Sequence, residues 1–221
     1  MRVCVVLPTK NEEENIEYMI KEIKKYCKYP IFIVDEQSTD NTIKIAKKLK
    51  VKCFQRKKEG YGEGVKEGLK IAKERGFSHI VLLDCDGSYP PRYIPMLVKY
   101  AKQGYDIVTT ARNMKDIIFL HRIANIFHTK LTNLLYLTRL KDINTGMKIL
   151  KIDKFIGKLK ASGMDLTAEI LLLAIKRRYK IKQIPIEYKD RRRYKDRGKS
   201  KIKIKDGFTI MFRIIKERFS D

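Results

Sequence analysis

At 221 residues, 43% hydrophobic and 34% charged, the chain is long enough to bury one sizeable core and is not of disordered composition. No apolar run approaches the roughly 20 residues that span a bilayer, and MRVCVVLPTKNEEE turns acidic too soon for a signal peptide. The net charge of +24 is uneven, with 18 Lys and Arg against 6 Asp and Glu from residue 176 onward, a surplus that attracts polyanions of any kind.

RVCVVLP, Arg2 to Pro8, is predicted to be a strand buried on both faces. A helix follows, with Ile16, Ile20 and Ile23 at helical spacing. IFIVDEQSTDNT predicts a second strand that runs into acid, then Asp40 as the N-cap of a helix carrying Ile43, Ile45 and Leu49. VKCFQR is a third short strand, and the Gly-punctuated EGYGEGVKEGLKIAKERG leads into another helix. HIVLLDCDGSYPP is a fourth strand, PPRYIPMLVKYAKQG a helix and YDIVTTAR a fifth strand. Strands and helices in alternation predict an α/β domain with a mainly parallel sheet flanked by helices.

From about Met114 the rhythm changes. IIFLHRIANIFHTKLTNLLYL is a long apolar helix with basic residues on it, DINTGMKILK a turn into a strand, and LTAEILLLAIKRRY a buried helix. IKQIPIEYKDR returns as a strand, and Pro185 places it at an edge. RRRYKDRGKSKIKIK has no apolar period and is predicted to be a mobile basic loop. DGFTIMFRIIKERF closes as an amphipathic helix through Phe208, Ile210, Met211, Ile214, Ile215 and Phe219. With no repeat and no Ser/Pro linker, residues 1–205 form a single domain, and the 206–221 helix packs on it or lies at a membrane surface.

In an open parallel sheet, ligands sit at the carboxyl ends of the strands. Asn11 and Glu12, Asp35 and Glu36, Asp84 and Asp86, and Arg112 all fall there. Asp84 and Asp86, at i and i+2, share a side of the strand if its geometry persists, and two like charges so close call for a cation. Hard carboxylate oxygens suit Mg²⁺ or Mn²⁺, ions that typically share their sphere with water and a diphosphate. The competing reading is an ordinary turn rich in Asp, Gly, Ser and Pro. No GxxxxGK[ST] loop is present, and GYGEGVKEG misses GxGxxG because Glu67 occupies the last Gly position. Its glycines instead ease a loop and start a helix. Cys4, Cys27, Cys53 and Cys85 lack metal-type spacing and read as reduced thiols, while His79, His121 and His128 read as structural or surface residues.

VVLPTKNEEENI, IVDEQSTDNT, LLDCDGSYPPRYIPML, TTAR, DINTGMKIL, DLTAEILLLA and RGKSK, in that order, resemble the family 2 glycosyltransferases. More narrowly, they resemble the dolichyl-phosphate mannosyl/glucosyl (polyprenyl-phosphate glycosyl) transferases. The resemblance runs from Arg2 to about Lys205 and implies a Rossmann-like GT-A fold. It implies an inverting transfer of a hexosyl group from a nucleotide-diphosphate sugar (GDP-mannose, UDP-glucose or UDP-N-acetylglucosamine) to dolichyl or polyprenyl phosphate. It places Pro8, Lys10 and Glu12 at the nucleoside, and Val34 and Glu36 at base and ribose. Asp84 and Asp86 match the D-x-D that holds the divalent metal, with Cys85 and Ser88 beside them in the donor-binding set. Arg112 would face the phosphates, and Arg122 the acceptor phosphate. Lys195, Arg197 and Lys201 would close a basic loop over the site, with Arg197 on the acceptor phosphate. Glu169 matches a family acid, with two open roles: orienting the acceptor or a buried structural one.

Two departures stand out. Gly87 and Ser88 replace the Leu-Gln usual after D-x-D in mannosyl enzymes, and the C-terminal membrane helices of many members are missing. Membrane contact is then expected to be peripheral, at the cytoplasmic face, through the basic surplus and the helices around Ile117–Leu137 and Phe208–Phe219. Rival readings are a soluble family 2 enzyme with a non-lipid acceptor and a basic nucleic-acid-binding protein, although no RRM or KH signature is found and no nucleic-acid partner is expected.

Overall fold

The computed structural model describes residues 1–189 and 204–220. Within them, β1 (Val3–Thr9), β2 (Ile31–Asp35), β3 (Lys52–Gln55), β4 (His79–Leu82), β5 (Ile107–Arg112), β6 (Lys148–Lys151) and β7 (Ile181–Ile186) form one sheet. Its spatial order is β3-β2-β1-β4-β6-β5-β7. Pairing is parallel for β1 with β2 and β4, β2 with β3, and β5 with β7, while β6 runs antiparallel to β4 and β5. The predicted mainly parallel sheet is therefore present. Because β6 runs backward, its first residues arrive at the rim where its neighbours end. Pro185 lies in β7 at the sheet edge, where its missing N–H interrupts no ladder.

The helices are α1 (Glu13–Tyr26), α2 (Thr42–Lys48), α3 (Tyr61–Glu74), α4 (Ile94–Lys102), α5 (Phe119–Tyr136), α6 (Ile152–Phe155), α7 (Leu166–Lys176) and α8 (Ile204–Phe219). Side chains alternate along β1, which explains its unbroken apolar run. Val3, Val5 and Leu7 join Ile16, Met19, Ile20 and Ile23 of α1 in one core layer. Cys4 and Val6 join Val65 and Leu69 of α3 in the other. Each fully buried Val, Ile or Leu contributes roughly 1.5–3 kcal/mol relative to exposure. Gly68 lets α3 close on the sheet, since a Cβ there would stand 2.5 Å from Val6 Cγ1. The four cysteines are free thiols.

The N-cap of α2 falls on Asn41, one residue after the predicted Asp40. Asp40 still works there, accepting from Thr42 N at 3.0 Å and Glu13 N at 3.1 Å, so it ties the starts of two helices together.

Helix α5 is inside out. Its buried residues are Asn125, His128, Thr129 and Thr132, whereas Phe119, Leu120, Ile123, Phe127 and Leu134 are exposed. Helix α8 packs against α5 and α7. Ile210 and Ile214 face inward, while Phe208, Phe212, Ile215 and Phe219 stay exposed, so its apolar residues divide between two sides. Between the inward pair, Arg213 reaches Asp165 Oδ2 at 2.9 Å through Nε, and lies 3.8 Å from Glu169 and 3.4 Å from Glu217.

Candidate active site

The rim at the carboxyl ends of β1, β2, β4 and β5 collects the predicted polar residues. Glu36, just past β2, pairs with Lys10 through Oε1 and, through Oε2, with Arg56 Nη2 at 2.7 Å and the Gly60 amide at 2.8 Å. Burial pushes its carboxyl up, but Lys10, Gly60 and Arg56 outweigh that and hold it below the usual range. Glu12 is buried at the start of α1, with Oε2 accepting from Asn15 Nδ2 at 3.0 Å. Asp35 locks the following turn, accepting from Thr9 Oγ1 at 2.9 Å and Ser38 N at 2.8 Å. Pro8 is partly exposed at the end of β1. Val34 is fully buried in the core, so its side chain presents nothing to a ligand. The same holds for Cys85, at 3% exposure, and at those two positions only the main chain is available.

β4 ends at Leu82, so strand alternation is not what brings Asp84 and Asp86 together. A turn does, and Gly87 takes φ 72° within it, a conformation natural to glycine. Asp86 Oδ1 accepts from Ser88 N at 2.9 Å. Ser88 is itself fully buried, its main-chain N–H bracing the turn, while its Oγ, like Asp84 Oδ1, has no hydrogen-bond partner. Asp84 is half-buried, and its Oδ1 has no hydrogen-bond partner. Burial, then the adjacent Asp86 charge, pushes the Asp84 carboxyl well above the ordinary range, against a hydrogen bond from Tyr61. Two like charges and an orphaned oxygen fit a divalent cation. Among the described residues no group of three or more His, Cys, Asp or Glu is placed to hold one. An ion held by these two residues would need further ligands from outside the described side chains, as Mg²⁺ and Mn²⁺ commonly take from phosphate oxygens and water.

The backward course of β6 adds residues that sequence reading left without a role. Gly146, just before β6, lies against Asp84: a Cβ on it would stand 2.6 Å from the carboxylate carbon. Its N–H donates to Tyr89 Oη at 2.8 Å. Asp142 is fully buried and holds Arg112 in a two-point pair, Nε to Oδ2 at 2.7 Å and Nη2 to Oδ1 at 3.1 Å. Asn125 Nδ2 at 3.0 Å and Asn144 N at 3.1 Å also donate to Asp142 Oδ1. The Arg112 guanidinium lies 5.2 Å from the centre of the Tyr188 ring. DINTG was recognisable as a motif, but nothing local in it says that its strand would run backward.

Arg122 is half-exposed on α5 one turn before Asn125, with its guanidinium 5.5 Å from the Phe119 ring centre. Glu169 takes the structural of its two open roles, at 3% exposure with its oxygens accepting from Lys160 N at 2.9 Å and Ala161 N at 2.8 Å. That loop touches the glycine segment, where Gly62 N donates to Ser162 O at 2.8 Å and a Cβ on Gly62 would meet Ala161 O at 2.5 Å. The glycines of EGYGEG thus serve close packing, which brings Tyr61 to Asp84. Lys195, Arg197 and Lys201 lie outside the described residues.

Residues 4–157 match glycosyl transferase family 2, and the chain belongs to that family. It is 30% identical over 194 residues to the dolichyl-phosphate hexose transferase of Haloferax volcanii, covering 86% of this chain and 83% of that one. It is 31% identical over 236 residues to the dolichol-phosphate mannosyltransferase of Pyrococcus furiosus, covering 96% of this chain and 62% of that one. The fold is GT-A. The glucosyl-3-phosphoglycerate synthase of Mycobacterium tuberculosis, solved with Mn²⁺, uridine diphosphate and phosphoglyceric acid, superposes with a TM-score of 0.80 at 16% identity, covering 100% of this chain and 79% of that one.

Gly146→Ala follows as a direct test of the packing at Asp84. Its methyl must displace the carboxylate, and displacements near 1 Å cost on the order of 100-fold in rate. Sugar transfer should fall by about that factor, with a smaller effect on thermal melting. Retention of more than about a tenth of the activity would contradict the close approach.

Proposed function

We propose that the protein transfers a hexosyl group, with inversion, from a nucleotide-diphosphate sugar to dolichyl or polyprenyl phosphate at the cytoplasmic face of a membrane. The observation that carries the reading is the Asp84–Asp86 pair at the rim, with one oxygen unpartnered and Gly146 leaving it room. Asp84 and Asp86 would hold Mg²⁺ or Mn²⁺, which when bound neutralises charge on the departing diphosphate. Lys10, Glu12 and Glu36, with the main chain at Pro8, Val34 and Cys85, form the nucleoside end. Arg112, nearly buried and balanced by Asp142, would offer its remaining N–H groups at the phosphate end, and the half-exposed Arg122 would supply positive charge toward the acceptor. A phosphate monoester is already anionic at neutral pH, so the nucleophile needs no general base. The immobilised Glu169 is consistent with that. Positioning and charge stabilisation are the catalytic contributions.

The lipid acceptor is supported by the names of the two curated relatives and by the outer faces of α5 and α8. Phe119 at 66%, Leu134 at 73%, Phe212 at 64% and Phe219 at 79% exposure are large apolar groups turned to solvent. Lys130, Arg139, Lys205, Lys216 and Arg218 stand exposed among them. Apolar groups rimmed by cations suit an anionic bilayer surface, where each Lys or Arg contributes about 1 kcal/mol. No helix among the described residues is long and apolar enough to cross a membrane, and α8, packed on α5 and α7, would meet the surface through its outer face.

The test is metal-dependent transfer from labelled GDP-mannose, UDP-glucose and UDP-N-acetylglucosamine to dolichyl phosphate, with co-sedimentation on anionic liposomes. Product from one donor and salt-sensitive liposome binding are expected. No lipid-linked product from any donor, together with transfer to a small phosphorylated acceptor such as phosphoglycerate, would overturn the lipid assignment.

A further inference from the structure

Lys148 heads the fully buried side chains by volume among the described residues, at 1% exposure. It lies in β6, opposite Leu82 of β4 and Thr109 of β5, in the middle of the sheet. Gly146, in the bend just before β6, lies against the Asp84 carboxylate, and Leu82, the residue opposite Lys148, is two residues before Asp84. Lys148 is thus anchored beside the segment that carries the carboxylate pair. Among the described residues its ammonium has one hydrogen bond, to Thr167 O in the first turn of α7 at 3.3 Å. A single neutral carbonyl is poor compensation for a buried ammonium. The charges that favour its protonated form are Asp84 and then Asp142, while Arg112 opposes it. Asp142 is already matched by Arg112, so Asp84 is the acid left to balance Lys148, across a gap wider than an ion pair.

We propose that Lys148 is a built-in counter-cation of the Asp84–Asp86 pair, which keeps the pair from holding a divalent ion alone and so makes metal and donor diphosphate bind together. This rests on reading Asp84 and Asp86 as the metal-holding residues. The pair carries two negative charges, and Lys148 offsets one of them. A divalent ion added to that sum leaves a net positive site, which a diphosphate then complements. Metal and nucleotide affinities are thereby coupled, and the coupling is reciprocal. Lys148 is a positioning residue in this scheme. It acts on the reacting groups through its charge at Asp84, not by contact.

The experiment is Mn²⁺ titration followed by electron paramagnetic resonance, without nucleotide and then with UDP or GDP. Wild type is expected to bind Mn²⁺ weakly alone and much more tightly with nucleotide. Lys148→Met should bind Mn²⁺ alone on the order of tenfold more tightly, with the nucleotide enhancement reduced by a similar factor. Lys148→Arg should keep wild-type behaviour. If Lys148→Met does not fold, Lys148→Gln removes the charge while keeping a donor for Thr167 O. A charge-neutral variant with wild-type Mn²⁺ affinity and undiminished nucleotide enhancement overturns the proposal, whatever happens to its melting temperature. Loss of the metal-holding reading has a different signature, namely unchanged Mn²⁺ binding with nucleotide in Asp84→Asn and Asp86→Ala.

Discussion

Asp86→Ala should lower sugar transfer by roughly a thousandfold at saturating metal, because removal of one preorganised electrostatic contact costs about 10²–10³ in rate. Asp84→Asn should match it, and more informatively. The asparagine keeps the shape of a side chain that Gly146 and Tyr61 enclose, but removes a charge that burial and Asp86 both disfavour. Its melting temperature should stay close to that of wild type, because relief of the repulsion from Asp86 is offset by Lys148 losing the charge that balances it, while activity collapses. Inactive protein of unchanged stability is the expected mark of a residue placed for chemistry and not for folding. Transfer assays and thermal melts read both quantities. More than about a tenth of wild-type rate in either variant would show that the pair does not hold the metal.

Arg112→Met should cost about 3–5 kcal/mol of stability, the usual consequence of removing one partner from a buried ion pair. Asp142 would be left charged and fully buried, with no cation beside it and only neutral donors, Asn125, the Asn144 amide and the main-chain N–H of residue 112, on its carboxylate oxygens. Burial pushes the Asp142 carboxyl up, but Arg112 outweighs it and holds the folded value below the usual range. The sign of the pH dependence follows. The contribution of the pair is complete above the unfolded carboxylate pKa and is lost as pH falls through the depressed folded value. The stability gap between variant and wild type, read by urea denaturation, should accordingly narrow in acid. Pairing Arg112→Met with Asp142→Asn should restore much of the stability without restoring transfer. A gap that stays constant with pH would contradict the electrostatic account.

Which parts of this arrangement were legible beforehand follows from what each signal measures. The continuous apolar runs at β1, β2 and β4 report burial on both faces, and such burial requires helices above and below. Acidic residues after β1, β2 and β4, with Arg112 ending β5, reported the rim, because parallel strands all end on one side. The course of β6 left no such trace, since KILK is compatible with either direction, and with it Asp142, Gly146 and Lys148 stayed without roles. In α5 the structure turns a stripe of Asn125, His128, Thr129 and Thr132 inward and a stripe of Ile123, Phe127 and Leu134 outward, where the sequence read only as a long apolar helix with basic residues. Spacing alone does not say which stripe turns inward; that depended on the polar demands of Asp142 and Asn144 beneath it. Val34 shows the opposite limit, where a motif position was recognised but its side chain lies in the core.

Arg213 gives the C-terminal helix a consequence for the rest of the molecule. Its guanidinium stands beside Asp165 and Glu169, two acids at the head of α7, and Glu169 clamps the loop that presses on the glycines around Tyr61. A protein shortened ahead of α8 would lose the cation around which those acids are gathered. Damage there would propagate inward to the carboxylate rim, and the tail is to be regarded as a keystone of the active end and not as an accessory.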